Sequence, residues 1–352
     1  MINKIQPVLI LLLLYFLLPK FDLFLVPGSV TGIRIQDIIC LSLFLILFEY
    51  KINSKILLIL ILFSTHLLYS LIIWNSFTSI YGFFRLIEYF FVAKGIIFIV
   101  EKGYWKFYFN SIIVYLLIFS VLQYLYLLPN IDPGRGVHYS SQFSGPFGTP
   151  AELTYFMIAF LFLNYQINQL NIFKFISCSF VLFNGVKAGI AGFVILSFQY
   201  LRRPNIFMII LLFLISIPLA SLSYEYFLSL KEFILAIFQH NNMENSISEQ
   251  SLGLRINKWI YVASQLYQHP LALFLGFGVY SYTGALDGGV LKFLFEFGLI
   301  GLLYMIYILQ RLSKMFFLIV LSTNILFDAY ASSVVMPVLI ATYLIISEKK
   351  AT

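Results

Sequence analysis

Runs of apolar residues long enough to cross a bilayer follow one another along most of the chain, with the charges gathered in the short segments between them. A helix needs about 20 apolar residues to cross a hydrocarbon core of roughly 30 Å. Inside that core each backbone polar group must be satisfied by the protein itself, so few folds suit such a pattern. The composition agrees. Of the 352 residues, 61% are hydrophobic and 11% are charged, whereas soluble domains are about 45–50% apolar and about 25% charged. A water-soluble fold could not cover its surface with so little polar material. The wealth of Phe, Tyr, Ile and Leu also excludes a disordered chain. The expectation is an all-α polytopic membrane protein forming a single integral membrane domain over residues 1–352. A charge at membrane depth is then costly unless it has a partner or a task, so the few charges carry most of the information.

The pattern places spans near 6–26, 33–49, 55–74, 81–100, 107–128 and 150–169. Further spans fall near 171–186, 188–201, 205–223, 289–310, 314–329 and 333–347, twelve in all. Two of these are short, and the basic residues decide how they pair. With the N-terminus in the cytoplasm, the inner side collects Lys4, Lys51, Lys55, Lys102, Lys106, Lys174, Arg202, Arg203, Arg311, Lys314, Lys349 and Lys350. That arrangement satisfies the positive-inside rule if 171–201 and 314–347 are hairpins, with tips near Lys187 and Asp328. The net charge of +7 is thereby read as an orientation signal, and nucleic acid is not expected as a partner. Cys40 and Cys178 lie in apolar runs and form no disulfide framework. Lys4 before an apolar run resembles a signal peptide, but no small-residue cleavage site follows, so a retained first helix is expected.

Two long polar segments remain on the outer side, 129–149 and 224–288. Within the second, Phe227, Leu230, Phe233, Ile234, Ile237 and Phe238 have helical spacing, which predicts an interfacial helix over Tyr226–Gln239. A polar, mobile tract is expected over Asn241–Ser251, and a second helix over Leu254–Gln268. The chain has no Walker A motif, and His66, His138, His240 and His269 are too far apart in sequence to suggest a metal cluster.

Several charges are candidates for chemistry. Arg135 and His138 share a glycine-bearing segment, where a guanidinium suits a phosphate and a solvated loop charge is the ordinary alternative. Lys187 sits between Gly185 and Gly189, either snorkelling to the interface or facing a polar cavity. Arg85 and Glu88 are three apart on one helix, which makes a structural pair or, near the outer end, part of an anion site. Arg255 and Lys258 begin the second outer helix with Trp259 beside them. Asp287 is placed to cap the next helix, and Lys292 and Glu296 are spaced to pair along it.

The ordered string Arg255…Trp259…His269-Pro-Leu…Gly276-Phe-Gly278…Asp287-Gly-Gly…Glu296-Phe-Gly-Leu-Ile-Gly301 resembles the large outer loop and following helix of the O-antigen ligase/polymerase superfamily. Gln142 to Glu152 resembles its other outer-loop signature, Ile33-Arg-Ile-Gln-Asp37 the start of its second span, and Asn184 to Gly189 its Ser-Arg-Gly site. The likeness in architecture covers nearly the whole chain. Asp287-Gly-Gly, in place of the His-Asn of ligases, points toward Wzy-type polymerases of O antigen or capsule. Gln142 and Lys187 stand where the family has arginines, so Arg135 is expected to supply one of those charges.

The resemblance implies a GT-C-like fold of about twelve transmembrane helices with a large periplasmic loop. It also implies a cofactor-free, metal-independent glycosyltransferase of the bacterial inner membrane. Its substrates would be undecaprenyl-pyrophosphate-linked oligosaccharides, joined on the outer face, with a membrane co-polymerase setting chain length. Arg135, Lys187, Arg85 and Lys258 are then expected to bind pyrophosphate, and Arg255, Asp287, His138 and Glu152 to carry the catalysis. The competing expectations are a ligase that transfers glycan to lipid A core or protein, and a polysaccharide-lipid flippase.

Overall fold

The computed structural model describes residues 4–19, 22–25, 32–48, 54–75, 78–132, 136–138, 144–147, 149–167, 247–279, 281–282, 286, 288–325 and 332–351. The expected spans 171–186, 188–201 and 205–223, and the helix Tyr226–Gln239, lie outside them. Among the described residues the fold is helical apart from two short hairpins. Its helices are α1 Ile5–Leu17, α2 Ile35–Leu47, α3 Ser54–Trp74, α4 Thr78–Glu101, α5 Trp105–Tyr124 and α6 Pro150–Gln166. After 168–246 come α7 Ile247–Gln268, α8 Pro270–Leu275, α9 Gly289–Leu312, α10 Lys314–Ile325 and α11 Val335–Ala351. Among the described residues, α5 and α9 are by length and composition long and apolar enough to cross a membrane. Large apolar side chains point outward from several helices, including Ile72 at 74% and Leu45 at 71% exposure.

The first span is a correction to the expectation. Helix α1 stops at Leu17 instead of running to residue 26, because Pro19 cannot continue the ladder. The chain then forms β1 Asp22–Leu25, antiparallel to β2 Gly32–Arg34, with Asp22 opposite Arg34. The side-chain amide of the buried Gln36 donates to the carbonyls of Leu18 and Pro19 at 3.1 and 3.3 Å. Tyr115 Oη donates to Leu17 O at 2.9 Å, so the end of α1 is capped from two other helices.

Helices α1, α2, α4, α5, α6 and α11 share one apolar core. Gly95 lets α4 approach α1 closely, since a methyl there would stand 3.1 Å from Leu12. Helices α5 and α6 meet through stacked Phe109, Phe156 and Phe160 rings, and buried Trp105 Nε1 donates to Asn164 Oδ1 at 3.0 Å. Helix α11 packs against α4 and α6, while α10 packs against α9.

A second short hairpin precedes α6. Strands β3 Asn130–Asp132 and β4 Gly136–His138 pair antiparallel, with Asn130 opposite His138. A 3-10 turn, Gly145–Phe147, follows. Buried Gln123 on α5 holds this region: its Oε1 accepts from the backbone N–H of Ser144 and of Gly145 at 3.2 and 2.9 Å, and its Nε2 donates to Pro129 O at 3.1 Å. Thr149 then caps α6, accepting from Glu152 N at 3.1 Å, with Pro150 in the first turn.

Candidate functional site

The described residues between Trp259 and Gly301 pack into one unit. Helix α7 starts at Ile247, not Leu254, so part of the tract expected to be mobile is helical. Its inner residues Val262 and Leu266 pack with Ala272, Phe277, Leu286 and Phe295 in a small second core. Trp259 Nε1 donates to Leu286 O at 3.1 Å, tying α7 to the segment before α9.

Helix α9 is broken. Gly298 has φ 69° and ψ −176°, a backbone conformation that only glycine adopts without strain. The break releases the carbonyls of Phe295 and Glu296 from the helical ladder. Both are taken up by the turn after α8, where Phe277 N donates to Phe295 O at 2.8 Å and Gly278 N to Glu296 O at 3.0 Å. The chains touch backbone to backbone. A methyl on Gly276 would overlap the Glu296 carbonyl, and one on Gly298 would overlap the Phe274 carbonyl.

Helix α3 braces this clasp. His66 Nε2 lies 3.0 Å from Leu275 O, and its ring stacks on Phe297 with centroids 5.3 Å apart. Tyr69 Oη donates to Gly276 O at 3.1 Å and accepts from Trp74 Nε1 at 2.9 Å. Trp74 in turn packs on Phe277, with centroids 4.7 Å apart. The residue at the start of α9 is Gly288, which has no side chain with which to cap, so the cap expected at Asp287 falls one residue late.

A second polar group crosses the main bundle. Arg85 is 3% exposed, and its Nη1 lies 3.0 Å from Glu88 Oε2 and is ion-paired with Asp37 Oδ1. Its Nε donates to Tyr81 Oη at 2.6 Å, with the guanidinium over the Tyr81 ring. The other oxygen of Asp37 accepts from Arg34 N at 2.8 Å, capping α2. Elsewhere in the bundle the Tyr15 hydroxyl donates to Ser333 O at 2.5 Å. Ser332, the neighbour of Ser333, donates its hydroxyl to the carboxylate of Glu152, which is 8% exposed. Buried polar groups are normally partnered in this way.

The expected site residues are thus distributed unevenly. Arg85 joins α4 to α2 through Asp37, and Glu152 joins α6 to Ser332 just before α11. Arg255 and Lys258 lie on α7, with Lys258 half-buried, and the side chain of Arg255 is outside the described residues. His138 ends β4, and its side chain is likewise outside them. Arg135, Lys187 and Asp287 lie outside the described residues altogether. Spacing points to the Arg85–Glu88 pair and, one turn back on the same helix, to Tyr81, but Asp37 beside Arg85 and Ser332 beside Glu152 are partners that no sequence spacing brings together.

An apolar cavity of about 170 Å³ opens between α9, α10 and α11, with Val290, Phe293, Phe316 and Leu339 in its wall. Among the described residues, no three His, Cys, Asp or Glu side chains are grouped to hold a metal ion. No family model, no curated protein and no solved structure matches this chain.

Proposed function

We propose that the chain is a polysaccharide polymerase: a multi-pass glycosyltransferase of the bacterial inner membrane that joins undecaprenyl-pyrophosphate-linked oligosaccharide repeat units on the periplasmic face. The observation that carries the reading is the clasp. It gathers the string from α7 to Gly301 at the head of a helix long and apolar enough to cross a membrane. A lipid-pyrophosphate substrate needs that arrangement, because its head group lies at the interface while its chain stays in the hydrocarbon.

In the reaction, the growing glycan leaves its lipid pyrophosphate for a hydroxyl of the incoming repeat unit. Cationic side chains neutralise the leaving pyrophosphate. Arg135, Lys187, Arg255 and Lys258 serve that role in this reading, from three segments of the outer side. Arg85 already faces Asp37 and Glu88, and Glu152 already accepts from Ser332. Both are therefore assigned to holding helices together. Asp287 and His138 remain to orient the acceptor hydroxyl. The twelve-span topology, with both termini cytoplasmic, belongs to the same proposal, as does a co-polymerase partner that sets chain length.

The surface glycan of a deletion strain tests the reading on a gel. Core plus a single repeat unit is the expected pattern. Core alone, with lipid-linked chains accumulating, would indicate a ligase, and repeat units trapped on the cytoplasmic face a flippase. Arg255→Ala at normal membrane abundance is expected to reproduce the single-unit pattern, and a full ladder would remove Arg255 from the site.

A further inference from the structure

Residues 259–286 contain no Asp, Glu, Lys or Arg, although they fall between the expected spans. The part in α7 and α8 is apolar on both sides. Val262, Leu266 and Ala272 face the small second core. The outward side chains keep helical spacing through Ile260, Tyr267, Leu271 and Phe274, with Tyr267 88% exposed. Among the described residues from 259 to 274, Gln268 is the only exposed side chain that is neither apolar nor aromatic. A helix in water carries polar residues on its open face, and one that is apolar all round is covered by protein or lipid.

The contacts of α8 set its depth. His269, at its start, packs on Trp74 at the end of α3, with ring centroids 5.2 Å apart. Leu275, at its end, meets His66, which lies about 12 Å back along α3 at 1.5 Å per residue. Helix α8 therefore descends beside α3. The clasp gives a second measure of the same depth. Gly278 N bonds to Glu296 O, about 10 Å along α9 from Gly289. One leaflet of a hydrocarbon core is about 15 Å thick, so the turn at 275–278 reaches most of the way through it.

A non-helical turn tolerates that depth only where protein encloses it and pairs its backbone. Gly276, Phe277, Gly278 and Val279 are buried. Gly276 N donates to Ala272 O, Phe277 N to Phe295 O and Gly278 N to Glu296 O, while Gly276 O accepts from Tyr69 Oη. The exposed side of α8 is continuous with the open faces of its neighbours. Ile72 and Ile73 stand outward on α3 beside it. Phe274 lies against Gly298, beyond which Ile300 and Leu303 extend the apolar face along α9.

We infer that residues 259–279 form a re-entrant segment, which dips into the membrane from the side where α3 ends and α9 begins. Its open stripe, from Ile260 to Phe274, is a lipid-binding surface whose partners are the acyl chains of that leaflet. The inference rests on the membrane placement in the proposed function and is independent of the chemistry. The face from which Lys258 and the clasp meet a substrate is then the wall of a membrane recess, open to lipid on one side.

The test uses the full chain in lipid nanodiscs, with Cys40 and Cys178 replaced by Ala and one nitroxide-labelled cysteine per variant. Ile260→Cys, Leu271→Cys and Phe274→Cys report on the stripe, and all three positions are exposed, so the labels leave the packing intact. Leu303→Cys on α9 is the lipid control and Lys102→Cys, in the exposed turn between α4 and α5, the water control. Power saturation compares relaxation by oxygen, which enters hydrocarbon, with relaxation by a nickel chelate, which stays in water. Labels at 271 and 274 are expected to match 303, with a nickel-to-oxygen ratio at least about tenfold below that at 102, and 260 to fall between. Labels at 271 and 274 that match 102, with 303 in lipid, overturn this inference alone. A label at 303 that also matches 102 removes α9 from the bilayer and overturns the proposed function together with this inference.

Discussion

Gly298→Ala addresses the clasp at its tightest point. The residue has φ 69° and ψ −176°, and an added methyl would overlap the Phe274 carbonyl and stand 2.5 Å from the Leu275 nitrogen. Forcing alanine into that conformation costs about 1–3 kcal/mol. The Phe274–Leu275 backbone has to retreat, which breaks the bonds from Phe277 N to Phe295 O and from Gly278 N to Glu296 O. Each is worth about 0.5–1.5 kcal/mol net. The expected destabilisation is therefore about 2–6 kcal/mol, and its lower end already shifts the unfolding equilibrium by roughly 30-fold. Gly103 is the control. It also has positive φ, 78°, but nothing lies within 4 Å of a methyl placed there. Gly103→Ala therefore keeps only the backbone cost, about 1 kcal/mol. Chemical unfolding in detergent micelles compares the two. Equal losses for Gly298→Ala and Gly103→Ala would show that the backbone contact carries no energy, and the reasoning would fail.

Arg85→Met strands Asp37 and Glu88 in the bundle and should cost about 3–5 kcal/mol, read by the same unfolding assay. Ser332→Ala removes the donor to Glu152 and the cap that Val335 N finds on Ser332 Oγ at 3.2 Å, for a loss of about 1–3 kcal/mol. Thr149→Ala loses the α6 cap alone and should cost about 1 kcal/mol. Tyr69→Phe leaves Gly276 O and Trp74 Nε1 without the hydroxyl that joins them. Faster proteolytic cleavage after α8, with the bundle of α1, α2, α4, α5, α6 and α11 unaffected, is the expected outcome.

Much of the helical frame was legible from apolar run length. Expected spans 55–74 and 289–310 meet Ser54–Trp74 and Gly289–Leu312 almost residue for residue. Failures fall where the signal is not periodic. The hairpins after α1 and before α6 are three or four residues per strand, too short for alternation to register. At α9 an apolar run concealed a break, because Gly298 looks the same in sequence whether it sits in a helix or ends one. The clasp joins residues 277–278 to 295–296 through backbone atoms, which side-chain patterns do not reveal. Arg85 and Glu88 were readable as a pair from their spacing, whereas Asp37, 48 residues away from Arg85, was not.

Purified chain in nanodiscs, given undecaprenyl-pyrophosphate-linked repeat units and no other protein, tests the central claim most directly. The account predicts a ladder of polymerised glycan on the lipid carrier, rising with time and lost in Arg255→Ala. Repeat units recovered unchanged as single units from folded wild-type protein would contradict it.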